Sequence, residues 1–551
     1  MAVKFPLGID LFDKLRTDGY YYVDKTELIH EVLDTKFEVS LITRPRRFGK
    51  TLMMSMLETF FDISRDSKAI FEGLKISRER ALCEEWMNQW PTVFVSLKSA
   101  EGLNFKDAYG MLTILIANLY KKYAFLGESD AVDKDDRNLF LKIKRREAEL
   151  VELKDSLLLL TRMMHAHYGK KVILLIDEYD VPLAKAYDNG YYKDMLDVIR
   201  LVLGSALKTN LHLKFAIITG CLKISQESIF TGLNNVVANT ITVERFDEYF
   251  GFTEKDVHKL LSAAGFADHA EEVKRWYDGY HFGAVDVYCP WDLLNHVAAL
   301  QVNGKVRPKN YWAATSHNDI IYKLFENEEF DVDGKFEALL AGESIQAEIT
   351  EELTYDSIEA SEMNLWSLLF MTGYLTMAED YAEDERIALC IPNEEVKSIF
   401  KTAIVDWFKK DVQTIDRSKM FTALWEGDAE TATEFISDLL FASISYHDYR
   451  ESYYHTFVAG LFAGAGYVVE SNFEYGDGRP DVVIKEKRKR RVMLFEIKHA
   501  KEKELLEKSC DEAVKQIEER RYALAFDGYR VVISYGISFS GKDCMIKRYM
   551  A

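Results

Sequence analysis

At 551 residues, with 48% hydrophobic and 13% aromatic content, the chain is long enough for several domains, each burying an ordinary core. Its six cysteines (Cys83, Cys221, Cys289, Cys390, Cys510, Cys544) form no C-x-x-C pair and have no histidine at zinc spacing, which argues against a disulfide framework and for a reducing, cytoplasmic setting. The formal charge of −20 repels polyanions over most of the surface, but residues 451–551 hold 18 basic and 16 acidic side chains, leaving −22 on residues 1–450 and only the tail compatible with nucleic acid.

The start MAVKFPLGIDLFDKLR lacks the pattern of a signal peptide, and no run of about 18 apolar residues occurs, so no membrane is expected. Short β-branched runs then alternate with helical patterns: VSLIT at 39–43 before a helix from Lys50, TVFVSL at 92–97, KVILLID at 171–177 and KFAIITG at 214–220. Such alternation predicts a parallel sheet between helices. Residues 136–168 read as one or two helices on that sheet. After about Val243 the strands are expected to stop, and Thr253 with Asp256 reads as the cap of a helix DVHKLLSAAG in a helical lid.

From about 300 to 440 the pattern stays helical except for LTMAE and RIALCIPN, which follow NLWSLLFMTG and are compatible with a winged-helix-like module. From about His447 a compact α/β unit is predicted: a helix to about Ala465, extended pieces YVVESNF, DVVIKEK and VMLFEIKHA, a helix over Leu505–Ala523, and a last strand YRVVISYG.

Two constellations carry chemistry. In the first, Arg44-Pro-Arg-Arg-Phe-Gly-Lys-Thr51 lies between a strand and a helix, the context of a phosphate-binding loop. Arg46, Arg47 and Phe48 form the loop, Gly49 lets the backbone approach phosphate, Lys50 brings charge, and the Thr51 hydroxyl suits Mg²⁺. Arg44 departs from the general pattern, which has glycine there. The apolar strand ending in Asp177-Glu178 would deliver one carboxylate for Mg²⁺ and one to polarise the attacking water. Thr219 ends a third strand, near the γ-phosphate of ATP if the strand order is the usual one.

These segments, with GIDLFDKLRTDGYYYVDKTELI, ITGCLKISQESIFTGLNN, WYDGYHFG, YCPWDLLN and IPNEEV, resemble the bacterial AAA-ATPase-like family commonly fused to a PD-(D/E)XK nuclease domain. The resemblance spans essentially the whole chain, and it implies that arginine at position 44 is usual. Lys223 departs from it, since an arginine is expected there; a lysine sensing the γ-phosphate would offer a weaker fork. The pair Asp24-Lys25 matches the family either as a nucleotide contact or as a salt bridge, and Asn234-Asn235 reads as a turn.

In the second constellation, Pro480-Asp481 opens one strand and Glu496-x-Lys498 lies on the next. Residues two apart share a strand face, so a hairpin gathers Asp481, Glu496 and Lys498 at one point. Asp481 and Glu496 suit Mg²⁺ or Mn²⁺, while Lys498 would position water or stabilise developing charge. Glu451 on the preceding helix and Gln516 on the following one complete the PD-(D/E)XK order. The run KEKRKRR from Lys485 to Arg491 offers either phosphate contact or a solvated turn, and His455 and His499 read either as packing residues or as residues that touch and support the site's ligands.

The fold expected is α/β: an AAA-like P-loop NTPase core over 1–245, a helical lid over 246–300, a mostly helical middle region over 301–445, and a restriction-endonuclease-like domain over 446–551. The activity expected is ATP binding and hydrolysis coupled to a metal-dependent endonuclease acting on DNA. The rival is a nucleotide-gated switch that binds nucleic acid without cutting it. A homo-oligomer is left open.

Overall fold

The computed structural model describes residues 3–224, 234–312, 333–381, 386–412, 418–443, 451–463, 467–471, 480–526 and 528–550. The chain divides into two compact units, residues 1–314 with 346–395, and residues 315–345 with 396–551.

In the first unit, strands β1 (Val39–Thr43), β2 (Thr92–Ser96), β3 (Val172–Asp177), β4 (Leu213–Gly220) and β5 (Val236–Asn239) form a sheet in the order β2-β3-β4-β1-β5 with every pairing parallel. Parallel strands need crossover helices, which cover both faces, and so β1 and β3 are buried at every residue and read as unbroken apolar runs. The register sets Thr43 beside Gly220 and Ile176 beside Ile218, which brings the C-terminal ends of β1, β3 and β4 to one edge. Ligands bind at that edge in open α/β sheets.

The stretch expected to hold one or two helices holds three: Lys134–Arg145, Leu150–Lys154 and Ser156–Tyr168. The first ends at Arg146 with φ +65, and a reciprocal cap between Glu149 and Glu152 starts the next. Past residue 243 the Thr253/Asp256 capping box is present and opens the helix Glu254–Ala264. The strands, however, do not stop there. β6 (Phe252–Thr253), β7 (Tyr280–Phe282) and β8 (Val285–Tyr288) pair in the order β6-β8-β7. Pieces of two to four residues are too short to show a period, so only their long-range pairing reveals them.

Helices Glu254–Ala264, Ala270–Tyr277 and Pro290–Val302 pack Leu260, Leu261, Val273, Leu293 and Val297 into one core. Farther on, β9 (Ile345–Glu348), the helix Glu362–Thr372, and the strands β10 (Thr376–Tyr381) and β11 (Arg386–Cys390) give a sheet in the order β10-β11-β9.

The second unit is built on β12 (Val468–Ser471), β13 (Val482–Glu486), β14 (Arg491–His499), β15 (Val531–Ser540) and β16 (Asp543–Tyr549), paired in chain order. Only β14 and β15 run parallel, joined across the helix Leu506–Arg520. β16 was not expected: the final strand turns back after Ser540 and pairs along its length. Helices Ser418–Glu426 and Ala429–Ser443 also pack on this sheet, with the Tyr535 hydroxyl donating to the Leu424 carbonyl at 2.5 Å and the Ile546 amide to Thr433 Oγ1 at 3.0 Å. The compact unit thus also includes residues before 446. Among the described residues no helix is long and apolar enough to cross a membrane.

Candidate active sites

The phosphate-type loop joins β1 to the helix Lys50–Phe61, whose N-cap is Gly49 at φ +85, a conformation that glycine adopts without strain. Arg44 is fully buried and acts as a pin for the loop. Its Nη1 donates to the carbonyls of Thr43 (2.8 Å), Asn239 (2.9 Å) and Thr240 (2.9 Å), and its Nη2 to that of Arg245 (3.3 Å). Burial lowers its pKa to about 10 even with Asp247 near. Where a generic loop has glycine, this chain ties its loop to the segment that follows β5.

The remaining loop residues divide. Phe48 is buried against Tyr280 and Phe282 at ring distances of 4.9 and 5.0 Å, so its side chain locks the loop onto the β7–β8 hairpin. Arg47, at φ +73, lays its guanidinium 4.3 Å over Trp291. Arg46 faces Cys221, with Asp180 and Tyr355 near, and does not line the cavity described below. Lys50 folds back, donating to the carbonyls of Arg44 and Pro45, both at 2.9 Å, with Cys221 Sγ at 3.6 Å.

Asp177 is fully buried and gathers three hydroxyls: Thr51 donates to its Oδ2 at 2.9 Å, Ser96 to the same oxygen at 3.3 Å, and Thr219 to its Oδ1 at 2.6 Å. Glu178 holds φ +52. Burial, then Asp177, pushes its carboxyl above the usual range against the pull of Lys50 and Lys98. Asp180 Oδ2 accepts the amides of Cys221 (2.8 Å) and Leu222 (3.0 Å), which fixes the chain leaving β4.

Beside these groups lies a cavity of about 320 Å³, within the size range of small-molecule sites. Arg47, Gly49, Lys50, Thr51, Lys98 and Glu178 line its polar side, and Ile9, Tyr22, Val23, Phe252, Trp291 and Leu294 its apolar side. Lys98 and the apolar residues carry no motif of their own, and sequence reasoning missed them as members of the site. The family-like segment GIDLFDKLRTDGYYYVDK was the available signal for Ile9, Tyr22 and Val23.

Contacts bear on three secondary readings. Lys25 pairs with Asp256 at 2.7 Å, donates to the Glu248 carbonyl and also lines the cavity, while Asp24 accepts from Thr26 and from the Lys75 amide. Lys223 pairs with Glu352 at 3.5 Å and does not line the cavity. Asn235 donates to the Leu207 carbonyl from a turn.

In the second unit, β13 and β14 form the expected hairpin, with Val482 opposite Phe495. Asp481 Oδ2 accepts the Ile497 amide at 2.7 Å. Glu496, only 1% exposed, has Oε1 3.5 Å from Lys498 Nζ, while its Oε2 has no hydrogen-bond partner. Burial, then Asp481, raises its pKa to about 7. Tyr522 interacts with both Glu496 and Gln516, so the helix Leu506–Arg520 does reach the site. His455 Nε2 stands 3.5 Å from Asp481 Oδ2, where it supports that carboxylate, whereas His499 stacks on Tyr454.

Glu451 begins the helix Glu451–Ala463, but its side chain lies outside the described residues. Among the described residues no three His, Cys, Asp or Glu side chains converge as a metal cluster. The basic run is largely satisfied internally: Lys485 pairs with Glu470, Lys489 and Arg491 with Glu486, and Arg490 donates to the Gly528 carbonyl.

Comparison with known proteins agrees with both halves. Residues 6–230 match the AAA-ATPase-like family, described as a predicted AAA-ATPase, and residues 449–549 match the PD-(D/E)XK nuclease superfamily. The chain therefore joins an AAA-ATPase-like domain to a C-terminal domain of the PD-(D/E)XK nuclease superfamily. It is also similar along its length to a protein of Azotobacter chroococcum mcd 1 named "Uncharacterized protein in vnfD 5'region", at 26% identity over 555 residues covering 98% of this chain and 96% of that one.

Proposed function

We propose that the first unit binds and hydrolyses ATP and that the C-terminal domain is a metal-dependent endonuclease acting on DNA, with ATP turnover controlling cleavage, in the cytoplasm of a bacterium. The observation that carries the first half is the convergence of Thr51, Ser96 and Thr219 on Asp177 beside a cavity that Glu178 and Lys50 line. Thr51 and Asp177 would hold Mg²⁺, whose chemistry is charge neutralisation on the phosphates. Gly49 and the helix N-terminus cradle the phosphates, Lys50 exchanges its two carbonyl contacts for phosphate oxygens, and Glu178 accepts a proton from the attacking water.

The second half rests on Glu496. A buried carboxylate with an unpartnered oxygen, next to a second carboxylate and an amine, is costly unless a proton or a cation satisfies it. Asp481 and Glu496 supply the hard oxygens that Mg²⁺ or Mn²⁺ takes, and the ion would polarise a phosphodiester. Lys498 places positive charge where a phosphate would build up negative charge, and Tyr522 with Gln516 fixes the rotamer of Glu496. Glu451 completes the proposed set. The order strand, helix, hairpin over residues 345–390 is read as winged-helix-like.

The test is incubation of the protein with plasmid, linear and single-stranded DNA and with RNA, with Mg²⁺ or Mn²⁺, with and without ATP. DNA cleavage lost in Asp481→Ala supports the reading. Binding without cleavage under every condition replaces the nuclease with a nucleotide-gated binding switch.

A further inference from the structure

The end of β2 runs alongside the acidic end of β3. Ser96 is in register with Asp177, and the next amide, that of Leu97, donates to the Asp177 carbonyl at 2.9 Å. Lys98 therefore leaves the sheet at the level of Glu178, and both line the same cavity as Lys50 and Thr51.

Four cationic side chains line that cavity, and three are already engaged. Lys25 is held by Asp256 and the Glu248 carbonyl, Arg47 lies on Trp291, and Lys50 rests on two loop carbonyls. Lys98 is exposed and, among the described residues, makes no ion pair within 4 Å. It is the cavity cation that approaches from the β2 side, opposite the loop.

We propose that Lys98 is a catalytic residue of ATP hydrolysis, a cis-acting cation that contacts the γ-phosphate from the side of Glu178. This rests on the reading of the first unit as an ATPase. In the step it serves, the water oxygen forms a bond to the γ-phosphorus as the bond from that phosphorus to the β–γ bridging oxygen breaks. The bond's electron pair leaves on ADP, and the water proton passes to Glu178. Charge spreads over the γ-oxygens during this transfer. Lys50 meets that charge from the loop, and an ammonium on the opposite side meets it where the water attacks. The contact exists only while a γ-phosphate is present, which distinguishes Lys98 from a group that merely supports the pocket.

The experiment measures, on the full chain, ATP turnover and the affinities for ADP and for a non-hydrolysable ATP analogue, in wild type, Lys98→Ala, Lys98→Arg, Lys50→Ala and Glu178→Gln. Lys98→Ala should lower kcat by roughly a hundredfold and weaken the analogue while ADP affinity stays within about twofold, with partial rescue by Lys98→Arg. Turnover of Lys98→Ala within about twofold of wild type overturns the proposal, as does an equal loss of analogue and ADP affinity. If wild type does not turn over ATP, or Lys50→Ala leaves turnover intact, the ATPase reading itself fails. If those controls behave and Lys98→Ala matches wild type, only the role of Lys98 falls.

Discussion

Thr51 and Asp177 are 126 positions apart, and the Thr51 hydroxyl donates to Asp177 Oδ2 at 2.9 Å. One sits at the start of the helix after β1 and the other at the end of β3, with β4 between their strands. The strand order thus brings together the hydroxyl and carboxylate proposed to hold a magnesium nucleotide. Lys50→Ala should reduce ATP and ADP binding by two orders of magnitude or more, whereas Glu178→Gln should keep binding and lose turnover by roughly 10²–10³-fold. Calorimetry and phosphate release separate the two outcomes.

Arg44 is the chain's departure from a generic phosphate loop, and its contacts predict the cost of undoing it. Arg44→Gly restores the general pattern but leaves four carbonyls without their donor, three of them those of Thr43, Asn239 and Thr240. The variant should be less stable by about 3–5 kcal/mol, read from denaturant midpoints. A variant as stable as wild type would show that the pin is dispensable.

At the second site, Asp481→Ala and Glu496→Ala should each lose metal binding and cleavage together, because carboxylate oxygens are the ligands a hard cation needs. Lys498→Ala should keep the metal and lose cleavage, since an ammonium ligates no cation. Proton and metal compete for Glu496, whose pKa is raised to about 7 by burial and by Asp481. Mn²⁺ affinity should therefore rise as pH increases through about 7 and flatten above it. Titration by calorimetry at several pH values checks this.

Asp292 and Glu395, both fully buried, are electrostatic neighbours. Burial holds both carboxyls above the usual range, and the charge of Asp292 raises Glu395 further. A group whose folded pKa is raised contributes stability at low pH and loses it as pH rises through that raised value. The first unit should thus melt at progressively lower temperature as pH rises from about 4, where unfolded carboxyls ionise, to about 9. Asp292→Asn, which keeps the shape and removes one charge, should flatten that slope in scanning calorimetry.

Lys223, at the position where the family resemblance implies an arginine, pairs with Glu352 at 3.5 Å outside the cavity lining. A long pair with one partner in solvent contributes about 0–1 kcal/mol. Lys223→Ala should leave turnover within about twofold of wild type, in contrast to Lys98→Ala.

The sequence by itself determined whatever follows from a local period or a fixed spacing. VSLIT and VILLID read as buried parallel strands because side chains on both faces meet helices, and the β13–β14 hairpin brings Asp481 to Glu496 because a strand's period of two sets both faces at once. Tertiary structure alone decided which distant groups share a cavity. Nothing local to Arg44 announces that Asn239 and Thr240 will take its guanidinium, and nothing in the run TVFVSLK announces that Lys98 will face Glu178. Those neighbours follow from the order β2-β3-β4-β1-β5, which sets β2 beside β3 and β5 beside β1 across long stretches of chain. The same holds for β6–β8 and β16: they are stabilised by backbone hydrogen bonds to partner strands, and a one-dimensional pattern records burial along one strand, not which strand lies next to it.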